Sequence, residues 1–165
     1  LSKTRHIGVI ATPATVARDY TASLIKRFAN DCRVTLCPAP LLVGQGEKKL
    51  LTNSADLSVV TQSISALKLC DDASPIDTIV LACTHFPLLK DELSLLAPGI
   101  HWIDSGEAIA RRAAQLLGRN TTAIRRVERG QHWMLFTDPA RTKPIAPTAL
   151  VELGLPYMAI QQTMS

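Results

Sequence analysis

The sequence predicts an α/β fold: a three-layer α-β-α sandwich around a mainly parallel sheet, plus the returning part of a second, similar domain. Three observations carry this. Short apolar runs such as Ile79–Ala82 alternate with longer segments whose apolar residues recur at helical spacing. Pro, Thr, Asp and Ser stand at the junctions, where turns and helix caps need them. The chain of 165 residues is 47% apolar and 19% charged, enough to bury a core and unlike a disordered segment.

The elements follow in order. Ile7–Ala11 reads as a buried strand. Thr12-Pro13 supplies an N-cap and a proline in the first helical turn. From Thr15 to Asn30, residues Val16, Tyr20, Leu24, Ile25 and Phe28 lay one apolar stripe along a helix. Arg33–Cys37 is a second strand, and Pro38 and Pro40 are expected to break regular structure after it. Leu41–Val43 then leads into Gly44-Gln45-Gly46-Glu47, read as a flexible turn. Ser54–Leu69 is a helix, closed by Asp71–Pro75. Ile79–Ala82 is the strongest strand, and Cys83–Pro87 is the turn that leaves it. Leu88–Leu96 is a helix stopped by Pro98-Gly99. His101–Ile103 is a short strand, Asp104-Ser105 a turn and cap, and Gly106–Leu117 an alanine-rich helix. Trp133–Thr137 reads as a strand, and the proline-rich tail as turns and short elements. The expected domains are a complete one over residues 1–104 and a returning segment over 105–165.

Several classes are excluded. Mean hydropathy is +0.14. The longest apolar runs are about five residues, against roughly twenty for a membrane span. The start carries no signal-peptide core. Cys32, Cys37, Cys70 and Cys83 form no C-x-x-C pair, and no two histidines lie close together. Zinc, redox-dithiol and disulfide-scaffold readings therefore lack support, and no metal or cofactor is expected. Reduced thiols in the cytoplasm are the expectation. The formal charge of +4 resides in residues 105–165, near Arg119, Arg125, Arg126 and Arg129. Such a cluster suits a solvated loop better than a nucleic-acid site.

Open parallel sheets place ligands beyond the C-terminal ends of their strands. Three such positions are Thr12, Cys83-Thr84-His85 and Asp104-Ser105. The middle one holds the most chemistry. A cysteine before a helix sits where backbone N–H groups favour negative charge, which suits a thiolate. His85 can exchange a proton or donate to a substrate carboxylate, and Thr84 offers a hydroxyl and an N–H. The alternative is equally concrete: a cysteine ending an apolar strand is a core residue, Thr84 is a cap, and His85 pairs with a carbonyl. Cys32, Cys37 and Cys70 are assigned to packing.

Residues 77–89, Asp-Thr-Ile-Val-Leu-Ala-Cys-Thr-His-Phe-Pro-Leu-Leu, closely resemble the second catalytic-cysteine motif of glutamate racemases. Gly8–Thr15 resembles an earlier Thr-containing segment of that family, and Ile103–Gly106 its later Asp-Ser-Gly turn. The resemblance runs from Ile7 to Leu117. It implies cofactor-independent interconversion of L- and D-glutamate by two cysteines facing each other across the substrate's Cα, supplying D-glutamate for peptidoglycan. It implies that Cys83 and His85 are catalytic, that Thr84 and His85 contact substrate, and that Thr12 and Glu47 support them from behind. It also implies a small-molecule substrate, glutamate; a homodimer is expected, with neither nucleic acid nor membrane as partner.

Two departures stand out. No stretch resembles the family's first cysteine motif, Cys-Asn-Thr, so the chain resembles the C-terminal part of a racemase, somewhat more than half. Ala14 and Ala82 also stand where the family commonly has glycine. A truncated, non-catalytic binding protein using the basic C-terminal region is the alternative. A thiol-dependent hydrolase ranks last, for want of an oxyanion site and an orienting third residue. Loss of sheet partners would leave Trp133–Phe136 and Ala149–Leu155 partly uncovered.

Overall fold

β1 (His6–Ala11) carries no charge beyond its first residue and runs inside a parallel sheet. β2 (Arg33–Pro38) pairs with it on one side and β3 (Thr78–Ala82) on the other. β4 (His101–Ile103) pairs with the outer side of β3, giving the order β2-β1-β3-β4. The computed structural model describes residues 2–67, 74–117, 132–136, 148, 151, 154 and 158–162, with backbone only for 132–136 and 158–162. The chain divides into two units: residues 1–49 with 54–106, and residues 50–53 with 107–165.

In the first unit, the connection from β1 to β2 runs one way across the sheet and those reaching β3 and β4 run the other. Right-handed crossovers then put their helices on opposite faces. One face presents Ile10, Cys37, Ile79, Leu81 and Trp102 to a core shared with Leu42, Val60, Ile64, Phe86, Leu89 and Leu93. The other presents Ile7, Val9, Val34, Leu36, Val80 and Ile103, all only half-buried. Phe28 borders that face, in a groove that also includes Ile7, Val80 and Ile103. The sandwich is therefore three-layered and unequal: one helical layer buries its apolar residues and the other does not.

The loosely packed layer corrects the reading of Thr15–Asn30 as one helix. Thr12 caps a short α1 (Pro13–Val16), accepting the N–H of Thr15, and α2 (Asp19–Phe28) starts afresh at Asp19. The apolar stripe exists, yet Tyr20 is 69% and Phe28 70% exposed. No residue of α2 is buried.

A second correction concerns residues 40–52. Neither Pro40 nor the pair Gly44 and Gly46 interrupts the chain, which forms α3 (Pro40–Thr52). Pro40 opens the helix, where a missing N–H costs nothing. Pro38 ends β2, an edge strand, where proline is tolerated. Lys49 Nζ meets Glu92 Oε2 at 2.9 Å with both side chains mostly buried, which ties α3 to the segment after β3.

The helix expected over Ser54–Leu69 is α4 (Leu57–Ile64), capped by the Asp56 carboxylate and followed by a 3-10 turn over Ser65–Leu67. Lys68, Leu69 and the Asp71–Ala73 turn lie outside the described residues. The helix expected at Leu88 begins later. A 3-10 turn over Phe86–Leu89 comes first, then α5 (Lys90–Leu96). Gly99, with φ of +88°, makes the left-handed turn that lets the chain return to β4.

The second unit contains most of α6 (Gly106–Leu116) and a parallel pair, β5 (His132–Phe136) and β6 (Met158–Gln162). β6, five residues long, is a short element in the tail. The arginines 119–129 lie outside the described residues, as do the side chains of Trp133–Phe136 and most of Ala149–Leu155. Among the described residues no helix is long and apolar enough to cross a membrane.

Candidate active site

Ala11 and Ala82 are partners in the β1–β3 register, so Thr12 and Cys83 leave adjacent strands at the same level. This is the C-terminal edge of the sheet. Thr12 is spent on its helix: its Oγ1 accepts the Thr15 N–H at 3.3 Å and lies 3.0 Å from Thr15 Oγ1. Asp104, after β4, accepts the Gly106 N–H at 2.8 Å and meets Lys90 Nζ at 3.3 Å. The Gly106 N–H, aided by Lys90, holds this carboxylate below its ordinary range.

Cys83 is half-buried and packs against the edge of the core. Its carbonyl accepts the Phe86 N–H at 3.2 Å, so the chain turns sharply after it. Phe86 and Leu89 are fully buried and pin that turn to the core. Thr84, at its apex, is exposed. His85 is held between two groups. Its Nδ1 lies 3.8 Å from Cys83 Sγ. Its Nε2 lies 3.6 Å from Glu47 Oε1.

The order carboxylate, imidazole, thiol has a chemical meaning. With the Nε2 proton toward Glu47, Nδ1 turns a lone pair to the sulfur and can hold the thiol's proton. Glu47, which the resemblance placed behind the pair, stands where a third residue could orient the ring. It reaches His85 because α3 is a helix; a loop over residues 44–47 would not aim it. A 3-10 turn stands where the mouth of a helix was expected after Cys83, and the His85 imidazole lies 3.8 Å from the sulfur.

The other cysteines differ. Cys37 is buried, and desolvation raises its thiol above the ordinary range. Cys32 is half-buried, at the opposite edge of the sheet in the groove with Phe28. Desolvation and the Asp31 carboxylate raise it as well. Cys70 lies outside the described residues. Of the five residues singled out from the sequence, Cys83, Thr84, His85 and Glu47 come together around one turn. Thr12 stands on the neighbouring strand end with its hydroxyl already engaged. Among the described residues no group of three or more His, Cys, Asp or Glu is placed to hold a metal.

No family model matches the chain. It is 47% identical over 118 residues to a glutamate racemase of Shewanella sp. (strain MR-4), covering 71% of this chain and 42% of that protein. It is 38% identical over 160 residues to a glutamate racemase of Shewanella halifaxensis, covering 96% of this chain and 58% of that protein. Among solved structures, the Escherichia coli glutamate racemase in complex with L-glutamate and the activator UDP-MurNAc-ala superposes with a TM-score of 0.74 and 31% identity. The match covers 100% of this chain and 61% of that one. The chain thus spans about half the length of the curated relatives it matches.

Proposed function

We propose that this chain, similar along most of its length to part of a glutamate racemase, supplies the Cys83 side of a two-cysteine site. That site interconverts L- and D-glutamate, a step that provides D-glutamate for peptidoglycan in the cytoplasm. The observation that carries the reading is the Glu47–His85–Cys83 arrangement at the strand ends.

The chemistry asked of it is demanding. An amino-acid Cα–H is weakly acidic, so charge developing at Cα must meet groups already in place. His85 takes the Cys83 thiol proton, leaving a thiolate. The thiolate removes the Cα proton of L-glutamate and the C–H electron pair stays on the substrate, spread into its carboxylate. An opposing thiol delivers a proton to the other face. Two groups are required because a single base tends to return the proton to the face it came from. Thr84, exposed at the turn, offers its hydroxyl and N–H to a substrate carboxylate, and Glu47 and Thr12 hold the framework.

In the same reading, residues 1–104 form one domain and residues 105–165 return toward another. The opposing cysteine belongs to a part of the enzyme that this chain does not resemble. A homodimer and a small-molecule substrate complete the proposal; a nucleic-acid or membrane partner is not part of it.

The test is product analysis in D₂O. The chain with L-glutamate should give Cα-deuterated L-glutamate slowly and little D-glutamate, since one base exchanges with retention. Full racemase turnover would overturn the division of labour, and no exchange at all would overturn the assignment of Cys83.

A further inference from the structure

We propose that Gly46 is a positioning residue for the Cys83–His85 pair, holding α3 against the backbone of the catalytic turn at a distance no side chain permits. Only the activity readout below rests on the glutamate racemase reading.

Gly46 is buried in the middle of α3. A Cβ there would lie 2.8 Å from the His85 carbonyl oxygen, 3.2 Å from His85 Cβ and 3.4 Å from its carbonyl carbon. All three nearest atoms belong to His85, and two of them are backbone. The carbonyl has little room to retreat. It accepts the Leu88 N–H at 3.2 Å within the 3-10 turn, and Phe86 and Leu89 in that turn are fully buried. The helix has little room either, with Leu42 in the core and Lys49 bridged to Glu92 at 2.9 Å.

The residue next to Gly46 is Glu47, whose Oε1 faces His85 Nε2 at 3.6 Å. One missing methyl group therefore sets two distances: carboxylate to imidazole, and imidazole to the Cys83 sulfur at 3.8 Å. Gly44 is the internal comparison. It lies on the same helix, and a Cβ added there would meet nothing within 4 Å. Glycine in a helix interior weakens the helix; at Gly46 the close approach of His85 offsets that cost, and at Gly44 no contact does.

The experiment compares Gly46→Ala with Gly44→Ala in the 165-residue chain. The spectroscopic readout is the His85 ring ¹H–¹³C cross-peak, recorded with Cys83 present and with Cys83→Ser. In the parent and in Gly44→Ala, removing the thiol should shift that peak. In Gly46→Ala the response should be lost, and Cα deuterium exchange on L-glutamate should fall on the order of tenfold, since small misplacements of reacting groups are costly. Thermal melting should stay cooperative. A Gly46→Ala chain whose His85 peak still responds fully to Cys83→Ser overturns the proposal. Should that variant fail to fold, the parent decides: cross-relaxation between the Gly46 α protons and the His85 β protons is expected, and its absence overturns the proposal. If the parent shows no glutamate exchange, the function falls while the ring and cross-relaxation results still decide the role of Gly46.

Discussion

His85 turns one ring nitrogen to Cys83 Sγ at 3.8 Å and the other to Glu47 Oε1 at 3.6 Å. The imidazole thus connects a carboxylate on α3 with a thiol after β3. If it carries the proton between solvent and sulfur, His85→Gln should slow Cα exchange of L-glutamate by roughly 100-fold, the usual size of a general acid–base contribution. Glu47→Gln should cost less, because it only orients the ring. Mass-spectrometric exchange rates of the two variants check the order; Glu47→Gln slower than His85→Gln would contradict it.

The thiols should differ in reactivity. Desolvation raises Cys37, and desolvation with the Asp31 carboxylate raises Cys32. Cys83 is half-buried beside an imidazole. Iodoacetamide at neutral pH is expected to label Cys83 before either of them, read by peptide mapping. His85→Gln should narrow the difference.

The turn that carries Cys83 and His85 depends on the core beneath it. Phe86 is 0% exposed and follows His85 directly. Phe86→Ala should cost about 3–5 kcal/mol, the usual range for emptying such a site. Urea denaturation measures it, and a loss below about 1 kcal/mol would show that the turn is not anchored there.

Acid stability should depend on Asp77. Its carboxylate takes the Ser2 hydroxyl at 2.6 Å and the backbone N–H groups of Lys3 and Thr4, and these hold it well below the usual range. The folded chain therefore binds this proton less readily than the unfolded chain. Stability from Asp77 is fully present above about pH 4, the unfolded value, and is lost as pH falls below it. Asp77→Asn should lower the urea midpoint at pH 7, and the gap between variant and parent should shrink toward pH 3. A gap independent of pH would contradict this.

Much of the first unit was legible because strand and helix periods differ. Ile7–Ala11, Arg33–Cys37, Ile79–Ala82 and His101–Ile103 all fall within observed strands. Over residues 40–52 local propensity lost to packing. Gly44 and Gly46 look like a turn, yet Leu42 in the core and the Lys49–Glu92 pair hold them in a helix. The stripe of Tyr20, Leu24 and Phe28 was read correctly as periodic, but period alone does not say what covers it. At the site, the Cys83 turn followed from its strand. Glu47 was suggested only by resemblance, because its aim depends on where α3 packs.

The sulfur of Cys83 carries the whole account, and one comparison tests it most directly. The parent chain and Cys83→Ser are incubated side by side with L-glutamate in D₂O, and deuterium at Cα is followed by mass spectrometry. The account predicts slow, catalytic exchange in the parent and none above background in Cys83→Ser. Equal exchange in the two, or none in either, would contradict it.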